Sequence, residues 1–169
     1  TAILGYTDLL MDDSVGAADR QTFMTTMRRN AKHLLQLIND ILDLSKIEAG
    51  KLSAELRRCN LPALMSEVAS LMRARAIQRG LSLEIRYQGL VPEEITTDGP
   101  RLRQALVNLV GNAMKFTNQG QVTISLGLLP AGLDGQPAVK IDVIDTGVGI
   151  AKEVLPSLFQ PFVQADAST

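Results

Sequence analysis

From Asp19 to about Ile47 the apolar residues fall on two interleaved heptad series, Met24, Ala31, Ile38 and Met27, Leu34, Ile41, widened by Leu35 and Leu42. Spacing of this kind commits a segment to a helix that packs along its length against other helices. The stripe is wider than a two-stranded coil needs and suits a four-helix bundle. Ahead of it, TAILGYTDLLMDD supplies Ile3, Leu4, Leu9, Leu10 and Met11 and reads as the tail of a preceding helix, with SVGAAD making the turn. One hairpin cannot cover both of its apolar faces, so two copies are expected to pair as a symmetric dimer; packing onto the rest of its own chain is the alternative.

Helical patterning stops near Gly50 to Asn60, where AELRRCN can form a short strand. Asn60, Leu61 and Pro62 then open a helix that runs to about Gln78 and is ended by Gly80. LSLEIRY at 81–87 and QVTISLGLL at 121–129 alternate as strands, and AGLDGQP turns into a further strand ending at Asp145. The expected fold class is α+β: a helical hairpin over residues 1–52, then an α/β sandwich over residues 53–169 with one mixed sheet covered by helices on one face.

Two short boxes in the second part carry chemistry. DGPRLRQALVNLVGNAMKF reads as one helix, with Asp98 as N-cap and Pro100 in the first turn. Leu102, Ala105, Leu106, Leu109, Val110 and Ala113 recur at helical spacing and are expected to face a core, which leaves Gln104, Asn108, Asn112 and Lys115 on the opposite stripe. A carboxamide oxygen suits Mg²⁺ between waters and phosphates, and a lysine one turn on supplies a charge for phosphate oxygens. By spacing alone, a solvated helix face fits the same stripe.

In VKIDVID, Val139, Ile141, Val143 and Asp145 share one strand face, so Asp145 is expected at the buried edge of a pocket. There a carboxylate can accept a hydrogen bond from the exocyclic amine of adenine. Gly147 and Gly149 let the backbone turn sharply and approach a flat ring. Alone, D-x-G-x-G after a strand also fits an ordinary turn. Joined, the two boxes predict the same ligand, ATP.

NLVGNAMKFT at 108–117, DTGVGI at 145–150 and LFQPFVQ at 158–164 resemble the N box, first glycine box and phenylalanine box of sensor histidine kinases of the two-component type. HLLQLINDILDLSKIEAGKL at 33–52 resembles the second helix of their dimerisation and phosphoacceptor domain. The resemblance covers nearly the whole chain in the expected order. It implies an α/β sandwich of the histidine kinase, gyrase and chaperone ATPase type, with ATP and Mg²⁺ as cofactors. Asn112 would be the Mg²⁺ ligand, Lys115 would face the phosphates and Phe116 would lie near the adenine or ribose. Asp145 would accept from the adenine amine, directly and through water, while Gly147, Gly149 and Ile150 shape that end of the site. Phe159 and Phe162 would anchor the start of a mobile lid.

Asn108 belongs to the same nucleotide-binding set and separates branches of the fold. In the ATP-hydrolysing relatives a glutamate occupies that position and acts as base toward water; an asparagine cannot take the proton. The resemblance thus favours a kinase over a hydrolase. It implies autophosphorylation on a histidine of the first helix and transfer to an aspartate on a response-regulator receiver domain. His33, the only histidine, belongs to the second helix and lies away from the heptad seam, so it is not expected to be the acceptor. That residue is expected ahead of Thr1, and a second glycine-rich box after Thr169, which makes the chain a fragment inactive by itself.

A net charge of −1 gives no electrostatic argument for nucleic acid or an anionic membrane. The lone Cys59 cannot form an internal disulfide, as suits a reducing compartment. No apolar run is long enough to span a membrane, so the expected location is cytoplasmic, with any membrane anchor in segments outside this chain. A nucleotide-binding or dimerisation module without kinase activity, and an ATP hydrolase of the same fold, stand as the other readings.

Overall fold

Helix α1 (Ala2–Leu10) and the 32-residue α2 (Ala17–Glu48) form the first of two units, Thr1–Ser53. The computed structural model describes residues 2–11, 15–51, 53–132 and 135–157. Helix α2 stops where Gly50 adopts φ 64°, with Gly50 N–H donating to Ile47 O at 2.9 Å and Lys51 N–H to Lys46 O at 2.9 Å. This pair of bonds satisfies carbonyls that the last turn leaves open, and the left-handed residue they need is cheapest as glycine. The Tyr6 and Phe23 rings meet at 5.2 Å between the two helices, a contact outside the heptad series. Leu34, Leu35, Ile38, Ile41 and Leu42 remain 45 to 61% exposed.

The second unit, Ala54–Thr169, contains β1 (Arg57–Asn60), α3 (Leu61–Gln78), β2 (Ser82–Gln88), β3 (Glu94–Thr97), α4 (Gly99–Phe116), β4 (Gln121–Leu129) and β5 (Ala138–Asp145). Its two helices open by the same device. Asn60 Oδ1 accepts from Ala63 N–H at 2.8 Å, Asp98 Oδ1 accepts from Arg101 N–H at 3.1 Å, and a proline follows in each first turn. A short polar side chain thus occupies an orphan donor where proline's missing N–H costs nothing. Helix α3 ends at Gly80, φ 65°, with Leu81 N–H bonded back to Ala76 O at 3.0 Å and the Leu81 side chain buried.

Strand β4 runs parallel to β2 and antiparallel to β5, while β1 and β3 pair antiparallel in a separate two-stranded sheet. Val122, Ile124 and Leu126 of β4 meet Leu61, Met65, Val68 and Met72 of α3 and Leu106, Val110 and Met114 of α4 in one core. Each fully buried side chain of this size contributes about 1.5–3 kcal/mol. On the opposite sheet face the central strand carries small residues flanked in register by long charged ones, Ser125 between Arg86 and Asp142 and Gly127 beside Lys140.

Three expectations from the sequence need correction. The expected single mixed sheet is two sheets, because EITT forms β3, a strand too short to stand out by alternation, and pairs with β1. Ala105 and Leu109 lie exposed, and Gly111 and Met114 are buried together with the expected Leu106, Val110 and Ala113. The core-facing sector of α4 is turned toward α3 at Gly111, where even an added Cβ would make only ordinary contact with the Met72 methyl at 3.8 Å. Asp145, expected at a buried edge, is exposed, although it does share a strand face with the partly buried Val139, Ile141 and Val143. Its place at the last residue of β5 carries it past the helices that cover the strand.

Candidate nucleotide site

Helix α4 presents Asn108, Asn112 and Lys115 to solvent, with Phe116 half-buried at its end. The Lys115 ammonium sits 5.0 Å from the centre of the Phe116 ring, a cation–π distance that holds the lysine stem over the end of the helix. Asp145 stands at the end of β5, and its Oδ1 accepts from Gly147 N–H at 2.9 Å. This local bond fixes the carboxylate, leaving Oδ2 without a protein partner among the described residues.

The two boxes, some thirty residues apart in sequence, are bonded to each other. Val148 N–H donates to the Phe116 carbonyl at 3.3 Å, so the turn after Asp145 lies on the last turn of α4. Gly147 makes that approach possible: a Cβ at this position would come to 2.4 Å from Phe116 O and 2.9 Å from its carbonyl carbon. The glycine is therefore required by a neighbouring backbone as well as by the turn itself. Gly149 adopts φ 70° with open space around it, and Ile150 is exposed beside it. Phe159 and Phe162 lie outside the described residues.

Two residues given no role from sequence hold this arrangement. The Thr146 hydroxyl accepts from Gln121 N–H at 3.1 Å and lies 3.4 Å from the carbonyls of Gln119 and Gln121, locking the start of the turn to the start of β4. Gly120, φ 116°, makes room, since a Cβ there would lie 2.2 Å from that hydroxyl. Thr117 is buried, and both its N–H and its hydroxyl donate to Ala113 O, at 3.0 and 2.7 Å, which closes α4. Both sit inside a recognised box, but the Thr146 contacts depend on register between distant strands, while Thr117 closes its own helix locally.

The donor set fits an adenine nucleotide with a divalent cation: an exposed carboxylate oxygen, an unobstructed glycine turn, a neutral carboxamide and a lysine, all at one end of α4 and β5. A separate cavity of about 890 Å³ opens between β3 and the start of β5, lined by Ile95, Thr97, Leu102, Leu128, Val139 and Ile141. None of the nucleotide candidates among the described residues borders it. His33 is exposed on α2. No helix among the described residues is long and apolar enough to cross a membrane.

A helical hairpin followed by an α/β sandwich whose carboxylate–glycine turn is bonded to an asparagine-bearing helix defines an ATPase-type nucleotide-binding class. Residues 97–169 match the family of histidine kinase-, DNA gyrase B- and HSP90-like ATPases, and residues 1–50 match the His Kinase A (phospho-acceptor) domain. Hybrid signal transduction histidine kinase L of Dictyostelium discoideum is 39% identical over 166 residues, 98% of this chain and 10% of that protein. Signal transduction histidine-protein kinase BarA of Escherichia coli (strain K12) is 37% identical over 166 residues, 98% of this chain and 18% of that protein. The crystal structure of full-length ShkA in complex with AMPPNP matches with a TM-score of 0.77 at 33% identity, covering 98% of this chain and 34% of that one. The chain belongs to the sensor histidine kinases, spanning less than a fifth of the length of these two curated relatives.

Proposed function

We propose that this chain is the core of an ATP-dependent protein-histidine kinase, with a dimerisation and phosphotransfer hairpin at 1–52 and an ATP-binding catalytic domain at 53–169. The observation that carries the reading is the Val148 to Phe116 bond, which sets the Asp145 turn against the helix end bearing Asn112 and Lys115. The family matches and the AMPPNP complex of ShkA support the same ligand.

In this reading Asp145 accepts from the adenine amine, and Gly147, Gly149 and Ile150 form the wall beside it. Asn112 offers its carboxamide oxygen to Mg²⁺, Lys115 neutralises phosphate charge, Phe116 flanks the base or ribose, and Phe162 belongs to the lid. Bound ATP supplies the phosphoryl group. A neutral imidazole already carries a nucleophilic lone pair, so the reaction needs no base at Asn108 and depends on positioning and charge neutralisation. The acceptor is a histidine outside residues 1–169, and the onward acceptor is an aspartate of a response-regulator receiver domain. The exposed apolar side chains of α2 support a homodimer through the hairpin. The setting is cytoplasmic, and any membrane attachment runs through other segments.

Titration of the 169-residue chain and its Asp145→Asn variant with a fluorescent ATP analogue, with and without Mg²⁺, tests the site. Saturable binding that the substitution weakens about ten- to a hundredfold is expected, the worth of a charge-assisted hydrogen bond. An unchanged dissociation constant refutes the adenine placement. In a longer protein that includes the acceptor segment, acid-labile phosphate on the chain distinguishes the kinase from a hydrolase, which would release phosphate without a labelled protein. His33→Ala should keep that label.

A further inference from the structure

We propose that Arg79 is a positioning residue for the nucleotide site, acting through the C-terminus of α4; the inference rests on the reading of that site given above. Carbonyls in the last turn of a helix lack intrahelical partners, and in α4 these include Met114, Lys115 and Phe116, Ala113 O still receiving the C-cap Thr117. Two are taken up by distant parts of the chain. Phe116 O receives Val148 N–H from the glycine turn, and Met114 O receives the Arg79 guanidinium from the end of α3.

Arg79 reaches Met114 because α3 stops where it does. It is the C-cap residue of α3, its N–H bonded to Arg75 O and Ala76 O, and Gly80 at φ 65° turns the chain away directly after it. Leu81 seals that turn from the core side. Its guanidinium therefore starts from a fixed point beside the last turn of α4, and its positive charge lies at the negative end of the α4 dipole. The two helices are already close at Gly111, where a Cβ would meet the Arg75 guanidinium at 3.5 Å. Arg79 thus links α3 to the turn that carries Lys115 and Phe116. Through the Phe116 carbonyl, the same turn carries the strap that follows Asp145. Among the described residues Arg79 bonds to no nucleotide candidate; it acts by holding their shared support.

The test uses the full 169-residue chain with Arg79→Met and Arg79→Lys. Two readouts are taken: affinity for the fluorescent ATP analogue, and amide hydrogen exchange without nucleotide at Val148 and at Ile124 in the sheet core. Arg79→Met should weaken analogue binding about tenfold and speed Val148 exchange about tenfold, the loss of one charged hydrogen bond, with Ile124 unchanged. Arg79→Lys, which keeps charge and a donor, should recover most of both. Wild-type affinity and wild-type Val148 exchange in the methionine variant overturn the proposal. So does an equal loss of protection at Val148 and Ile124, which would make Arg79 a general stabiliser. If the methionine variant does not fold, Arg79→Gln decides by the same two comparisons. Absence of analogue binding in the wild-type chain defeats the nucleotide reading instead, and the exchange comparison still judges Arg79.

Discussion

In the α/β unit Met65, Val68, Val110, Ile124 and Leu126 are sealed from water, whereas in the hairpin unit Leu34, Leu35, Ile38, Ile41 and Leu42 keep about half their surface exposed. Both units carry large apolar side chains in similar proportion, but only one encloses them. The α/β unit has two layers, and each face of its apolar sector meets another element of the same unit. The hairpin has a single pair of helices, and α1 is much shorter than α2. One unit therefore draws its stability from its own core, and the other leaves much of the same apolar energy unrealised among the described residues.

That contrast can be broken most directly with a matched pair of truncations. Ile124→Ala should cost about 3–4 kcal/mol in urea unfolding followed by signals from the α/β unit, at any protein concentration. Ile41→Ala should leave that transition in place and instead weaken self-association, seen by sedimentation as a higher dissociation constant. Equal, concentration-independent losses from both would mean the hairpin face is covered within one chain. Next in size, Gly147→Ala places a methyl against the Phe116 carbonyl and should cost about 2–3 kcal/mol, with loss of Val148 protection in hydrogen exchange. Asn60→Ala removes the cap of α3 and should lower stability by about 1 kcal/mol, whereas α2, whose Gly16 cap makes no side-chain bond, offers no equivalent loss.

The smallest effect is a pH dependence at Asp98. The N–H of Arg101, then that of Glu55, and the nearby Arg101 guanidinium hold its carboxyl below the ordinary aspartate value of 3.8, with burial opposing. A depressed carboxyl means that the unfolded chain binds the proton more readily. The stabilisation is therefore fully present above 3.8 and is lost as pH falls below it through the folded value. Asp98→Asn should flatten this acid limb. Urea midpoints of the α/β unit measured from neutrality down to about pH 3 would detect it. An unchanged slope would show that other carboxyls govern the limb.

Much of this fold was legible because its signals are local. Asn60–Leu61–Pro62 and Gly80 bracket α3 as their chemistry dictates, and β4 spans the same Gln121–Leu129 that alternation marked. The pairing of the two boxes agrees with the bond from Val148 N–H to the Phe116 carbonyl. What could not be read was set by tertiary geometry. The four residues of β3 depend on β1 for their pairing, and the sector of α4 that is buried depends on where α3 lies. Leu109 and Val110 are equally apolar as letters, and only the packing decides which is covered. For the same reason the roles of Arg79, Thr146 and Gly120 stayed hidden: each meets an atom far along the chain.

The parallel pairing of β2 with β4 has a consequence for how the site comes into being. Those strands are separated by β3 and all of α4, so their ladder closes a long loop, and such contacts form slowly. The turn after Asp145 then has to wait for β5 to zip onto β4 before Val148 can find Phe116. A chain emerging from the ribosome carries Asn112 and Lys115 well before it carries their counterpart. The bond between the two boxes thus forms only once β5 has paired with β4, and pulse-labelled exchange during refolding should find Val148 among the last amides to gain protection.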